Sequence, residues 1–226
     1  MHLTWNGHSC FTLETQQGKL VLDPYRPGSV PGLPDLKLEA DGVYCSHQHD
    51  DHAGAELVTL SGRGHTVQVE EIETYHDPEQ GALRGKNTIR IFIAEGLRVA
   101  HLGDLGCELT DEQMGQLYQV DALLIPVGGV YTLDAAQAAQ LTVDLDARHT
   151  IPMHYKSVES EFDLPELGTV YDYTLRLSGV WVNSLNTLDL DENYPAKVVV
   201  LQPQNMTKKF MSIGEMEKMS NTKNAK

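Results

Sequence analysis

Apolar and polar residues alternate well through "NTIRIFIA" (87–94) and in part through "HTVQVEEIETY" (65–75), the two-residue period of strands with one buried face. "GLRVAHL" (96–102) follows a Glu-Gly turn and predicts another strand. The start of the chain reads the same way. "HLTW" (2–5) and "CFTLET" (10–15) carry aromatic and β-branched residues, and a Gln-Gln-Gly turn leads into "KLVLDP" (19–24). Residues 26–35, "RPGSVPGLPD", hold three prolines and two glycines and predict a loop. "GVYCS" (42–46) is a short apolar strand, and "AGAELVTL" (53–60) reads as a helix.

The second half mixes helical and extended patterns. Thr110 and Gln113 occupy capping-box positions ahead of "DEQMGQLYQ", which predicts a helix. "DALLIPV" (121–127) is a buried type of strand. "LDAAQAAQLTVDL" (133–145) is a helix capped by Asp134 or Thr132, and "RHTIPMHY" (148–155) is a strand running into a histidine. Beyond residue 156 the signal weakens; "VYDYTLRLSGVWV" (170–182) and "AKVVVLQP" (196–203) look extended. Residues 204–226 are polar and Met-rich, as in a frayed helix or a disordered tail. A run of strands and then a helix occurs in each half. That predicts an α/β sandwich, two sheets with helices outside.

Composition narrows the function. In 226 residues, 41% are hydrophobic, ordinary for a globular core, and no apolar run approaches a membrane span. The N-terminus shows no signal-peptide pattern. A net charge of −15 repels polyphosphate backbones, so a nucleic-acid partner is disfavoured and a small-molecule substrate favoured. Three cysteines without CxxC spacing suit a reducing, cytoplasmic setting. The sequence leaves a homo-oligomer open.

The chemistry concentrates in "SHQHDDH" (46–52), where three of the chain's ten histidines and two aspartates crowd into seven residues between a strand end and the next element. His47 and His49 leave an extended segment on the same side. Imidazole and carboxylate donors together suit zinc, manganese or iron. Neighbouring side chains cannot all converge on one tetrahedral ion, whereas two ions about 3.5–4 Å apart would use them better. Further donors follow strand-like runs: His76 after "IETY", Asp104 after "VAHLG", and His154 after "TIPM". His101 competes with His76 but falls inside its strand. His2, His65 and His149 have no partner pattern, and Asp50 reads as a solvated loop residue.

These residues, with "WNGHSCF" (5–11), "LDP" (22–24), "RGKNT" (84–88), "HLGDLG" (101–106) and "PVGGVYTLDAAQA" (126–138), resemble the metallo-β-lactamase superfamily, most of all its L-ascorbate-phosphate lactonase-like branch. The resemblance covers residues 1–203 as one hydrolase-like domain and implies an αββα sandwich with a dinuclear site at one edge of the sheets. It implies one metal on His47, His49 and His76, a second on Asp51, His52 and His154, and Asp104 bridging both. The expected activity is hydrolysis of a small, anionic ester-like substrate, a lactone or phosphodiester, by a hydroxide between two divalent ions, zinc first and manganese or iron next. Asp51 is then both ligand and proton handler. His101 and His8 are candidate general acids or outer partners, and Asp23 is a candidate for orienting a ligand histidine. Arg84, Lys86 and Asn87 are candidate contacts to an anionic substrate. Relatives often carry histidine where this chain has Cys107, which weighs against a further site histidine there. Three other readings stay in play: a metal-binding protein with little turnover, a nuclease of the same superfamily, and an iron-based oxidoreductase.

Overall fold

Three antiparallel strands open the chain, β1 (His2–Gly7), β2 (Cys10–Thr15) and β3 (Gly18–Leu22), joined by tight turns. The computed structural model describes residues 1–156, 164–192, 194 and 196–202; the expected tail, 204–226, lies outside the described residues. After β3 come β4 (Glu39–Ala40), β5 (Gly42–Tyr44), β6 (Thr59–Leu60), β7 (Gln68–Tyr75), β8 (Lys86–Ala94) and β9 (Leu97–His101). The remaining elements are α1 (Asp111–Leu117), β10 (Ala122–Pro126), α2 (Ala135–Leu145), β11 (His149–Met153), α3 (Val170–Thr174), β12 (Val180–Val182), β13 (Thr187–Asp189) and β14 (Val198–Val200).

A five-stranded sheet in the order β13-β1-β2-β3-β5 packs on a seven-stranded sheet in the order β12-β14-β11-β10-β9-β8-β7. The two-residue period decides what lies between them. Trp5 sits opposite Phe11, Phe11 opposite Leu22 and Leu13 opposite Leu20, so these side chains share one face of the smaller sheet. They join Ile89, Ile91, Val99 and Leu124 of the larger sheet in one buried core. Leu117 of α1 and Ala138, Ala139 and Leu145 of α2 extend that core on the helical side. Both helices start as the sequence predicts, with capping boxes at Thr110/Gln113 and Asp134/Gln137. The architecture is the expected α/β sandwich.

Its outer layers are unequal. The other face of the smaller sheet, carrying Cys10, Val21 and Val43, is covered by Tyr25, Val30, Leu33, Leu36 and Leu38 from the proline-rich loop after β3. The helix expected over 53–60 is replaced by a single 3-10 turn, Ala55–Leu57, followed by β6. Gly54 at the N-cap position offers no side-chain acceptor. Val58 and Thr59 favour extended backbone, and β6 pairs in parallel with β4 instead. The extended reading of 170–182 also gives way in part: Val170–Thr174 is α3, and only Val180–Val182 is a strand. The Thr169 N–H and hydroxyl both donate to Asp172 Oδ2, and this local cap overrides the β-branched composition.

Candidate metal centre

Several strands end at one place. β7 is antiparallel to β8 and β8 to β9, so β7 and β9 point the same way, and β10 and β11 continue parallel to β9. The C-terminal ends of β7, β9 and β11 therefore emerge on one edge. They carry His76, Asp104 (after the Leu102-Gly103 turn) and His154. β5 of the smaller sheet delivers residues 46–52 to the same edge, tied there by Thr88 N–H donating to Ser46 O at 3.0 Å. The β1–β2 turn adds His8.

The backbone at this edge is tightly constrained. Gly103 has φ +54°, and a Cβ there would lie 2.3 Å from Asn87 Oδ1 and 2.5 Å from Ser46 Cβ. At Gly128 a Cβ would lie 2.2 Å from His154 O. His8, Asp23 and His154 are non-glycine residues with φ of 52°, 43° and 52°. Each such residue costs about 1–2 kcal/mol. Burying one Phe11 or Leu13 returns about 1.5–3 kcal/mol, so the core between the sheets readily offsets the strain.

Asp104 is the hub. It is buried, and four imidazole Nε2 atoms approach its carboxylate: His76 at 3.0 Å, His52 at 3.1 Å, His154 at 3.3 Å and His47 at 3.8 Å. Donor atoms of His47, His49 and His76 lie within 4.8 Å of one another; so do those of His8, Asp51, His52 and His154, and those of His47, His52 and Asp104. Yet His47 Nε2, His52 Nε2, Asp104 Oδ1 and both ring nitrogens of His154 are buried without a hydrogen-bond partner among the described residues. Buried polar atoms left this way are costly unless something else satisfies them. Convergent imidazole and carboxylate donors of this kind fit a divalent cation.

The rings are also oriented from behind. Asp23 Oδ2 accepts from His52 Nδ1 at 2.7 Å and from the Ser46 hydroxyl at 2.6 Å, and Asp23 Oδ1 accepts from Ser46 N–H at 2.6 Å. With its own proton on Asp23, the Ser46 hydroxyl accepts from His47 Nδ1 at 2.9 Å. His76 Nδ1 donates to Tyr131 O at 2.9 Å. In each case the outward nitrogen carries the proton and Nε2 is turned to the centre, the arrangement a metal-ligating histidine needs.

Electrostatics follow from the crowding. Burial disfavours a charged His52, but the Asp104 and Asp23 carboxylates outweigh it and hold the ring well above the usual histidine range. Burial and the neighbouring His52 charge push His47 down to about 3. Burial opposes ionisation of Asp104, yet the His154 and His52 imidazoles keep it well below the usual carboxylate range. Asp23 is likewise held at about 2: burial works against its charge, and the His101 and His52 rings prevail.

The remaining sequence candidates separate cleanly. His8 is fully buried, with Nε2 3.3 Å from Asp51 Oδ2 and its ring 4.3 Å from that of His154. His101 lies behind the cluster and not in it. Its Nε2 donates to Ser9 O at 2.9 Å and its Nδ1 accepts from Gly103 N–H at 3.1 Å, so both nitrogens are engaged within the protein, as an outer partner's would be. Asn87 is buried in β8, donating to Thr74 Oγ1 and Leu102 O and accepting from Asp104 N–H, each at 2.9–3.0 Å. Its amide is spent within the protein, positioning the Asp104 turn. Lys86 pairs with Glu73 at 3.3 Å on the surface. Arg84 does line a cleft of about 310 Å³ together with His49, Asp51, His76, Tyr131 and Glu166. Its guanidinium lies 5.4 Å from the centre of the Tyr131 ring, and the Tyr131 hydroxyl donates to Glu166 Oε1 at 2.7 Å.

Two residues of this wall, Tyr131 and Glu166, and Asp77 behind it were not singled out as site residues in the sequence. Asp77 accepts four backbone N–H groups, those of Glu79, Gly81, Leu83 and Arg84, and so folds the loop that presents Arg84. The Asp77-Pro78 step with Gly81 and Gly85 nearby was a legible turn signal. Tyr131 lies within the 126–138 stretch that carries the resemblance, but nothing in its spacing marks it as a site residue, and Glu166 sits in an irregular segment.

A model of the β-lactamase superfamily domain matches residues 2–154, the span that contains every donor named above. The chain belongs to the metallo-β-lactamase superfamily. Within the superfamily it is 31% identical over 196 residues to a UPF0173 metal-dependent hydrolase of Methanoregula boonei, covering 70% of this chain and 84% of the relative. A UPF0173 metal-dependent hydrolase of Hyperthermus butylicus is 26% identical over 192 residues, with 69% and 84% covered. The chain is thus a member of the UPF0173 metal-dependent hydrolase family. Its metallo-β-lactamase fold superposes on a Thermotoga maritima protein assigned as a Zn-dependent hydrolase of the superfamily, with a TM-score of 0.70, 34% identity, and 90% and 99% of the two chains covered.

Proposed function

We propose that this superfamily member is a hydrolase that holds two divalent cations, zinc first among them, and cleaves a small anionic ester-like substrate, a lactone or a phosphodiester. The observation that carries the reading is the buried Asp104 carboxylate with four imidazole Nε2 atoms gathered 3.0–3.8 Å around it. In this reading His47, His49 and His76 hold one cation, Asp51, His52 and His154 the other, and Asp104 both. When bound, the cations polarise the scissile group and bring the pKa of a coordinated water from about 15.7 toward about 7.

The chain's own residues do the rest. Asp51 opens partly onto the cleft, its side chain 18% exposed, and its carboxylate can accept the proton of the attacking water. Asp23 and Ser46 fix the rings of His52 and His47. Arg84, steadied over Tyr131, supplies positive charge in an otherwise acidic protein, which suits a carboxylate or phosphate on the substrate. A net charge of −15 argues against a long polyanion such as nucleic acid. The resemblance to the ascorbate-phosphate lactonase-like branch makes a phosphorylated lactone a natural first substrate to try. The three cysteines are free thiols, which suits a reducing, cytosolic setting.

The test is direct. Protein purified without added metal and then metal-loaded should hold two equivalents. It should cleave at least one member of a panel of lactones, thioesters and an aryl phosphodiester, lose that activity to a chelator and regain it on metal return. A metal-replete protein that cleaves nothing in the panel would favour the binding protein with little turnover.

A further inference from the structure

The sequence pattern leaves His8 as either a general acid or an outer partner. Its surroundings are those of a ligand. The donor atoms of His8, Asp51, His52 and His154 form the one candidate set among the described residues with four members, all within 4.8 Å of one another. The His8 ring is fully buried, 4.3 Å from the His154 ring and 5.3 Å from the His52 ring, with Nε2 directed at the Asp51 carboxylate.

The backbone holds the ring there. Register slips between Trp5 and Gly7, which bulges the end of β1, and Gly7 and His8 both have positive φ, 108° and 52°. The carbonyl of His8 is clamped from two sides, by the Trp5 indole N–H at 2.9 Å and by His154 N–H at 3.4 Å. The same peptide unit therefore fixes His8 and one of its neighbouring donors. A strained, doubly clamped, fully buried turn is an expensive way to place a solvent-facing acid, and a fitting way to place a metal donor.

We infer that His8 is a fourth protein ligand of the cation held by Asp51, His52 and His154. The inference rests on the two-cation reading above and makes the two halves unlike. One half has four protein donors besides Asp104. The other, with His47, His49 and His76, has three, and His49 is exposed. With the shared Asp104 the donor counts become five and four, so the first half should hold its cation more tightly and the second has more room for water or substrate. The substrate would accordingly engage the His47/His49/His76 half, on the side that borders the cleft.

Stepwise competition with a chelator, followed by metal analysis, tests this. Wild type should bind two equivalents of zinc in two affinity classes. His8→Phe keeps the ring against His154 but removes the donor. It should weaken the tighter class by more than the ~10–100-fold expected for losing an outer partner, while His49→Ala weakens the other. A second measurement needs no variant: in the wild-type protein loaded with cadmium-113 and labelled with nitrogen-15, His8 should show a one-bond metal–nitrogen coupling alongside His52 and His154. Couplings to His52 and His154 with none to His8 would overturn the inference and leave the two-cation reading intact. Wild type that holds fewer than two equivalents would overturn both.

Discussion

Asp23 touches His52 directly, at 2.7 Å from its Nδ1, and reaches His47 only through the Ser46 hydroxyl. One buried carboxylate thus sets the ring orientation of a histidine in each proposed half of the metal centre. Asp23→Asn keeps the shape but can present only one acceptor oxygen to three donors. It is expected to lower metal affinity and chelator-sensitive activity by ~10–100-fold, with both cations affected. Ser46→Ala should affect mainly the cation held by His47. Chelator competition on the two variants checks the contrast.

Asp51 is the one partly exposed carboxylate of the cluster. Asp51→Asn should leave the thermal midpoint near that of wild type and lower kcat by at least ~100-fold, the scale of a lost general base. Metal content measured on the same sample separates loss of proton handling from loss of a ligand.

Arg84 and Tyr131 form a cation–π pair at the cleft. Arg84→Ala is expected to raise KM for anionic esters about tenfold or more, in line with the ~1.5–3 kcal/mol of a charged hydrogen bond. KM for an uncharged ester of similar size should change little. Equal losses on both substrates would remove Arg84 from substrate recognition.

Gly103→Ala brings a methyl group to 2.3 Å from Asn87 Oδ1 at a backbone φ of +54°. Positive-φ strain of ~1–2 kcal/mol adds to an overpacking cost of ~1–3 kcal/mol. Urea unfolding should show a loss of about 2–5 kcal/mol, and Asp104 should be displaced along with the turn.

Acid stability has a separate source at Asp41. The Ser61 hydroxyl, the Lys19 N–H and the Arg63 guanidinium hold its pKa at about 2, against some opposing desolvation. The unfolded chain takes up the proton near pH ~3.9. Asp41 therefore stabilises the fold above that value, and the contribution drains away as pH falls from about 4 toward 2. The urea midpoint of Asp41→Asn should fall below wild type at pH 6 and converge with it near pH 2.

Much of the candidate metal centre was legible because its candidate donors follow strands whose ends a two-residue period marks. Residues 47–52, His76, Asp104 and His154 each come just after an apolar run, and parallel strand order brings such ends together. Patterns failed where a neighbour or a local cap decides the structure. In the 53–60 stretch only Ala55–Leu57 winds, as a single 3-10 turn, while Thr59 and Leu60 pair with Glu39 and Ala40, twenty positions away. Asn87 reads as a candidate contact to an anionic substrate, but its amide in β8 is turned inward to brace Asp104. His101 is close to Asp104 in sequence, yet the strand sends its ring behind the cluster toward Ser9 and Asp23. Tyr131 and Glu166 meet across 35 positions of sequence, a distance no local pattern spans.

The proline-rich loop that seals the outer face of the smaller sheet is also sewn to the histidine segment. Arg26 N–H donates to Asp50 O at 2.8 Å, the Arg26 side chain grips Asp50 and Glu56, and Gly54 N–H donates to Pro24 O at 2.7 Å. What looks like a decorative surface wrap is therefore mechanically continuous with the reactive edge. Trimming or grafting it is therefore expected to shift the segment that carries the candidate donors without replacing any of them.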